Sequence, residues 1–81
     1  MKKFKLEVLS QEATIFEGEA LSLTAVAADG KLGVLADHAP LLTVLSKGEL
    51  SAKLVNAPDL RLNLTSGLLK VEGNKAQVLL S

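Results

Sequence analysis

The residues of this sequence best suited to chemistry surround its only histidine, His38, which directly follows Asp37. Nucleophilic catalysis needs an imidazole within hydrogen-bond reach of a hydroxyl group and a carboxylate that orients the ring. In an extended segment, adjacent side chains point to opposite faces, so the Asp37-His38 pair is no evidence for a catalytic dyad. Two hypotheses follow: a small hydrolase that uses His38, or a shaped loop that docks onto a partner.

Other common sites are not indicated. The chain has no cysteine, and its acidic residues show no metal-like spacing around His38. Gly30-Lys31 lacks the glycine five residues earlier and the following hydroxyl residue of a phosphate-cradling loop. We therefore predict no catalytic residue, no cofactor and no metal site.

Length and charge limit the function further. We expect residues 1–81 to form a single domain with one small core. Nine basic and nine acidic residues balance and form no basic stripe, so nucleic acid is not an expected partner. The first ten residues lack the apolar run of a signal peptide, and no window approaches the roughly 20 apolar residues of a membrane span.

Several segments alternate apolar and polar residues, which is typical of half-buried β-strands. The apolar members are Phe4, Leu6 and Val8; Leu50, Ala52 and Leu54; and Leu60, Leu62 and Leu64. Turn-forming groups separate the segments at Asp29-Gly30, residues 56–59, Ser66-Gly67 and Gly73-Asn74. Six to ten short strands are consistent with this pattern, which favours a β-sandwich or small barrel over a βαβ fold.

If Leu62 is fully buried, Leu62→Ala should lower the free energy of unfolding by about 2–4 kcal/mol, because the truncation leaves a cavity.

Apolar doublets interrupt the alternation in a chain that is 48% hydrophobic. They are Val34-Leu35, Leu41-Leu42, Val44-Leu45, Leu68-Leu69 and residues 78–80. Either loops cover both faces at the sheet ends, or another protein covers the outer face, since large exposed apolar patches mark interaction sites.

A short helix is an alternative for one of these segments. Asp37 could cap it, with Pro40 in its first turn and Leu41, Leu42 and Leu45 along its length. Ala39 precedes the proline and is biased toward an extended conformation, and Val44 is β-branched, so both residues oppose the helix.

The same region carries a family resemblance. Residues 29–35 (DGKLGVL), residues 38–43 (HAPLLT) and Lys47-Gly48 together resemble the hallmark segment of the ε subunit of the F-type ATP synthase, known as δ in mitochondria. Flanking matches at residues 16–18, 65–67, 71–72, 74–75 and 78–79 extend the resemblance over essentially the whole chain.

The resemblance implies an all-β fold, the ten-stranded β-sandwich of that subunit's amino-terminal domain. It also implies a non-catalytic rotor subunit that binds the γ subunit and the ring of membrane c subunits and helps to couple ion flow to ATP synthesis. Such a subunit lies at the cytoplasmic face of the bacterial membrane and associates with the membrane only through the complex. The alternative is a stand-alone β-sandwich module that binds a different protein.

Site residues are transferred from the family position by position. The implied γ contacts are Ser10, His38, Ala39, Pro40, Leu41, Leu42 and Thr43. The implied c-ring contacts are Ala28, Asp29, Gly30, Lys31 and Leu32, with Lys31 at the tip of the turn.

The sequence also departs from the family pattern. Ala36-Asp37 stands where proline followed by glycine or asparagine is common, Lys31 stands where an acidic residue is common, and Leu68 replaces an aromatic residue. No segment has the length or period of the family's C-terminal helical hairpin, so ATP binding and inhibition by that hairpin are not transferred to this chain.

Overall fold

The computed structural model describes residues 2–81, which contain eight β-strands and no helix. The strands are β1 (Phe4–Leu9), β2 (Thr14–Ala27), β3 (Gly30–Leu35), β4 (Leu41–Leu45), β5 (Gly48–Leu54), β6 (Leu60–Leu64), β7 (Gly67–Glu72) and β8 (Lys75–Leu80). None of the described residues therefore provides a helix long and apolar enough to cross a membrane.

The long strand β2 joins the two layers of the sandwich. Its first half pairs with β1, and β1, β8, β7 and β4 follow in order to complete a five-stranded layer. Its second half pairs with β3 on one side and β5 on the other, and β6 completes a four-stranded layer. The register shift between Ala20 and Ser22 marks the point where β2 passes from one layer to the other.

The all-β sandwich is confirmed, but the strand number is eight, not ten. One reason is that β2 runs unbroken for 14 residues and serves both layers. Another is that residues 36–40 remain a loop: Asp37 has φ of 63°, and Pro40 has no N–H to donate to a ladder. The helix considered for residues 41–45 is replaced by strand β4, as Ala39 and Val44 favoured.

Each strand contributes to one apolar core. The buried cluster contains Phe4, Leu6, Val8, Ala20, Leu23, Ala25, Val34, Leu45, Leu50, Ala52, Leu64, Leu69, Val71, Ala76 and Val78. The alternating segments predicted from the sequence supply many of these side chains. Leu62, however, is only half-buried and packs at the margin of the cluster, so Leu62→Ala should cost less than the range given for full burial.

The predicted turns use the expected residues. Gly73 and Asn74 have φ of 59° and 58° and connect the paired residues Glu72 and Lys75, which is the geometry of a tight two-residue hairpin. Gly30, with φ of 123°, follows Asp29 in the turn between β2 and β3. Positive φ favours glycine and asparagine at these points because larger side chains clash with the backbone.

Candidate protein interface

Each apolar doublet points one side chain toward the core and the next one outward. Leu45 and Leu69 are about 1% and 0% exposed, whereas Val44 is 63% and Leu42 is 66% exposed. Leu79 is 45% exposed beside the buried Val78. Loops of this chain therefore do not cover these outer side chains. This favours the second explanation of the doublets, in which the outer apolar face is covered by another protein.

The strand register aligns four of the outward side chains across the five-stranded layer. Val44 lies opposite Leu68, Leu68 lies opposite Leu79, and Leu79 lies opposite Leu9. We call these four residues the apolar row. The next row toward the other end of the layer begins with Leu42 and continues with Lys70, Gln77 and Glu7, so the apolar row has a polar border.

A shallow groove extends the apolar row to the end of the layer. Its volume is about 410 Å³, and its walls are Leu9, Ser10, Gln11, Gly67, Leu68, Leu79, Leu80 and Ser81. Ser10 is held at this margin because its N–H donates to the Ala13 carbonyl at 2.8 Å and its hydroxyl accepts from the Ala13 N–H at 3.1 Å. The structure therefore places Ser10 beside the apolar row.

The loop that contains His38 lies at the opposite end of β4. The amide of the neighbouring Asp37 donates to Asn74 Oδ1 at 2.9 Å, and Asn74 Nδ2 donates to the Lys3 carbonyl at 2.9 Å. Asn74 thus ties the loop to the amino-terminal segment and to the hairpin between β7 and β8. This clamp is not visible in the sequence, because Asn74 is 37 residues from its partner Asp37.

The side chains of this loop do not orient one another. The Asp37 carboxylate accepts from Lys2 Nζ at 2.9 Å, and His38 Nδ1 lies 2.7 Å from the Ala39 carbonyl oxygen. With the proton on Nδ1, the ring donates to that carbonyl. These two contacts fix the shape of the loop and do not join Asp37 to His38. Ala39 and Pro40 are exposed on the loop.

The remaining residues transferred from the γ contact set differ in orientation. Leu42 points outward, but Leu41 and Thr43 share the inner face of β4 with Leu45 and are half-buried. Leu41 and Leu42 line a second shallow cavity, of about 270 Å³, with Pro40 and β7. Ser10, after β1, and the His38 loop, before β4, therefore lie at opposite ends of one layer, with the outer faces of β8, β7 and β4 between them.

The turn transferred as the c-ring contact occupies a distinct corner of the molecule. Ala28, Asp29, Gly30 and Lys31 are exposed, and Leu32 is half-buried. The strands on either side of the turn meet at the pair Ala27 and Gly30, and Ala27 also pairs with Leu45, at the end of β4 distant from the His38 loop. Lys47 follows β4 at this same end and is also exposed.

Sequence reasoning did not select Leu9, Val44, Leu68 or Leu79 as site residues. The doublets indicate Val44, Leu68 and Leu79, since each stands next to a buried apolar residue. Their alignment in one row depends on the parallel pairing of β1 with β8, which no local pattern specifies.

The polar border contains the most perturbed acid of the described chain. Gln77 Nε2 donates to Glu7 Oε1 at 2.8 Å, Lys75 Nζ lies 3.2 Å from the same oxygen, and Glu17 lies directly opposite on β2. The hydrogen bond from Gln77 is the largest cause that lowers the pKa of Glu7 from about 4.5 to about 2, and the neighbouring Glu17 and Lys75 lower it further.

A pH dependence of stability follows from this pKa. Because the folded state lowers the pKa, the contribution of Glu7 is complete above the unfolded value of about 4.5 and is lost as pH falls toward about 2. We expect Glu7→Gln to flatten the decline of unfolding free energy across that window, measured by urea titration at several pH values. Glu12→Gln, in the exposed loop before β2, is the control, and an equal flattening by both variants would contradict the assignment.

Comparisons with known proteins identify the family of the chain. A family model described as the β-sandwich domain of the ATP synthase delta/epsilon chain matches residues 3–81. Two relatives named ATP synthase epsilon chain are those of Sulfurimonas denitrificans, 35% identical over 79 residues, and Chlorobium limicola, 33% identical over 78 residues. The match covers 98% of this chain and 61% of the first relative, and 96% of this chain and 89% of the second.

Solved structures show the same fold at lower identity. A chain of the Euglena gracilis mitochondrial ATP synthase, in a structure of OSCP, F1 and c-ring, has a TM-score of 0.88 and 19% identity, with 96% of this chain and 50% of that chain covered. A chain of the Tetrahymena thermophila central stalk and c-ring has a TM-score of 0.81 and 19% identity, with 98% and 63% covered. At these identities the likeness establishes the fold alone.

Proposed function

Because this chain belongs to the β-sandwich domain family of the ATP synthase delta/epsilon chain, we propose that it is a non-catalytic subunit of the synthase central stalk. It binds the γ subunit and the c ring and transmits rotation between the ring and the catalytic head. Through these contacts it is held at the cytoplasmic face of the bacterial membrane. Its own role is mechanical, and ATP synthesis occurs on other subunits.

The observation that carries the γ-binding proposal is the apolar row. Four aliphatic side chains in register on an outward sheet face expose surface that water solvates poorly, and covering it with a partner is favourable. Ser10 extends this surface at one end, and Leu42 with the His38 loop extends it at the other. The outward-facing members of the set transferred from the family therefore flank the apolar row, and the row forms the centre of the proposed contact.

A second, separate surface supports the proposed c-ring contact. A subunit that transmits rotation needs two distinct attachment points. The turn at residues 28–32 provides a second one, because it lies at the end of β4 distant from the His38 loop. It presents Lys31, while Lys47 is exposed at the same end. Two cations here favour a carboxylate on the polar loops of the ring, because complementary charges orient a contact and accelerate its formation.

Co-purification with γ tests the proposal. Tagged chain and the γ subunit from the same genome are expected to elute from size-exclusion chromatography as a one-to-one complex. Val44→Asp should weaken the complex at least about tenfold, because the contact would bury an unpaired carboxylate. Leu35→Asp is the matched control, since Leu35 is exposed to the same 63% as Val44 but lies on β3.

The outcomes distinguish the hypotheses. A complex that survives Leu35→Asp and is lost with Val44→Asp supports the proposal. A folded wild type that does not bind γ contradicts it, and the family fold would then serve a binding module with another partner.

The c-ring contact has its own prediction. Lys31→Glu should leave the unfolding free energy within about 0.5 kcal/mol of wild type, because Lys31 is an exposed turn residue. Binding of the γ complex to purified c ring should weaken about tenfold at low salt, with a smaller difference at high salt where charges are screened. Lys53→Glu, an exposed lysine on β5, is the control, and equal effects of both variants would contradict the placement of the ring contact.

A further inference from the structure

The β4 edge is the least protected sheet edge of the molecule. Among the described residues, Leu41, Leu42, Thr43 and Val44 pair only with β7, and the other side of β4 meets β2 only at the single pair Leu45 and Ala27. Backbone donors and acceptors along residues 41–44 that do not face β7 are therefore open to another extended chain. An uncovered edge of this kind is a template for strand addition.

The other open edges carry charges that discourage pairing. Strand β3 contains Lys31, β6 contains Arg61, and the first half of β2 contains Glu17 and Glu19. Natural sheets use such residues to prevent edge-to-edge association. Strand β4, in contrast, has the sequence LLTVL without a charge, and its two outward side chains are Leu42 and Val44.

The sequence of β4 is also nearly symmetric about its centre. If a second copy of β4 pairs antiparallel with the first so that Thr43 lies opposite Thr43, then Leu42 lies opposite Val44 and Val44 lies opposite Leu42. Threonine pairs and aliphatic pairs are favourable across antiparallel strands. A twofold dimer requires such self-complementarity, because each surface element must match itself.

We propose that the free chain self-associates through β4, with two copies joined edge to edge by an antiparallel pairing centred on Thr43. The five-stranded layers of the two copies then form one continuous ten-stranded sheet. The ladder is limited to residues 42–44, because Ala27 already occupies the edge at Leu45. So short a ladder predicts weak and reversible association.

This pairing has a consequence for assembly that depends on the function proposed above. Val44 ends the apolar row assigned to γ, and Leu42 lies beside it, so a second copy paired along β4 lies against that end of the row and hinders γ from covering it. The dimer is then a state of the free subunit that γ binding dissolves, and it protects an apolar edge before assembly.

Cysteine cross-linking tests the pairing directly, since the chain has no native cysteine. Directly opposite residues of antiparallel strands have Cα atoms about 4.5–5.5 Å apart, within the range of a disulfide. Mild oxidation of Thr43→Cys at high protein concentration is expected to convert most of the chain to a covalent dimer. Asn63→Cys, an exposed position on the charged β6 edge, is expected to cross-link at least about fivefold less.

Sedimentation velocity of the uncrosslinked chain provides the second measurement. The weight-average mass should rise with concentration from the monomer value of 8.5 kDa toward twice that value. Val44→Lys should abolish the rise, and Leu35→Lys, at an equally exposed leucine on β3, should not. A chain that stays monomeric at about 1 mM, equal loss of association in both lysine variants, or equal cross-linking at both cysteines overturns the proposal. These experiments contain no γ subunit, so their result is independent of the function proposed above.

Discussion

Leu69→Ala is expected to lower the free energy of unfolding by about 3–4 kcal/mol. Leu69 is 0% exposed and lies on β7 between Thr43 of β4 and Val78 of β8. Truncation removes apolar contacts and leaves a cavity that strands on both sides prevent from closing. Since a domain of this length has a total stability of roughly 4–12 kcal/mol, the loss is a large fraction of the whole.

Urea denaturation followed by circular dichroism measures this change, and Leu68→Ala is the matched control. Leu68 is the adjacent residue of the same type, but its side chain is half-buried on the outer face. We expect Leu68→Ala to cost less than about 1 kcal/mol in the chain alone. If the two leucines cost the same, the inward and outward assignment of β7 would be wrong, and with it the position of the apolar row.

Gly67→Ala should destabilise the fold by about 2–3 kcal/mol. The cause is steric overlap of the added Cβ with the backbone, whereas Leu69→Ala destabilises by leaving a cavity. A Cβ at Gly67 would lie 2.9 Å from the Leu79 carbonyl oxygen and 3.9 Å from Leu45 Cδ1. The oxygen belongs to the backbone of β8, which is paired along its length with β7. Relief of the overlap therefore requires the two strands to move apart at the end of the groove.

Gly33→Ala is the control for this prediction. A Cβ at Gly33 would lie 3.9 Å from the Leu23 carbonyl oxygen, at ordinary contact distance. Thermal unfolding of both variants should show a clear decrease in midpoint for Gly67→Ala and almost none for Gly33→Ala. An unchanged unfolding midpoint for Gly67→Ala would show that β7 and β8 are less closely packed at this end than the structure has them.

Local patterns of the sequence predict much of the strand content. The alternation of Phe4, Leu6 and Val8 correctly places all three side chains in the core. Gly73-Asn74 predicts the hairpin between β7 and β8 because few other residues accept positive φ at two successive positions. The fold class follows from such segments, since many short strands and turns leave few alternatives.

Long-range pairing is what the sequence does not specify. The parallel pairing of β1 with β8 joins Lys5 to Lys75, and the clamp joins Asn74 to Asp37 and Lys3, which are 37 and 71 residues away. The unbroken length of β2 depends on its simultaneous pairing with β1, β3 and β5. Without these pairings, Leu62 could not be distinguished from a core residue, and the outward members of the doublets could not be assigned to one face.

The candidate site was predictable only in outline. The doublets indicated an apolar outer face, and the family resemblance supplied Ser10, the His38 loop and the turn at residues 28–32. Register was needed to show that Thr43 points toward the core while Val44 points away from it. For that reason the charged substitution that tests γ binding is placed at Val44, because a charge at Thr43 would enter the core.

Cysteine protection by γ is the most direct test of the central claim that the apolar row binds γ. Single variants Val44→Cys, Leu79→Cys and Leu35→Cys are labelled with a maleimide in the presence and absence of γ, and the labelling rates are compared. The account predicts at least about tenfold protection at Val44→Cys and Leu79→Cys and little change at Leu35→Cys. A γ complex in which Leu35→Cys is protected while Val44→Cys and Leu79→Cys label as fast as in the free chain would contradict it.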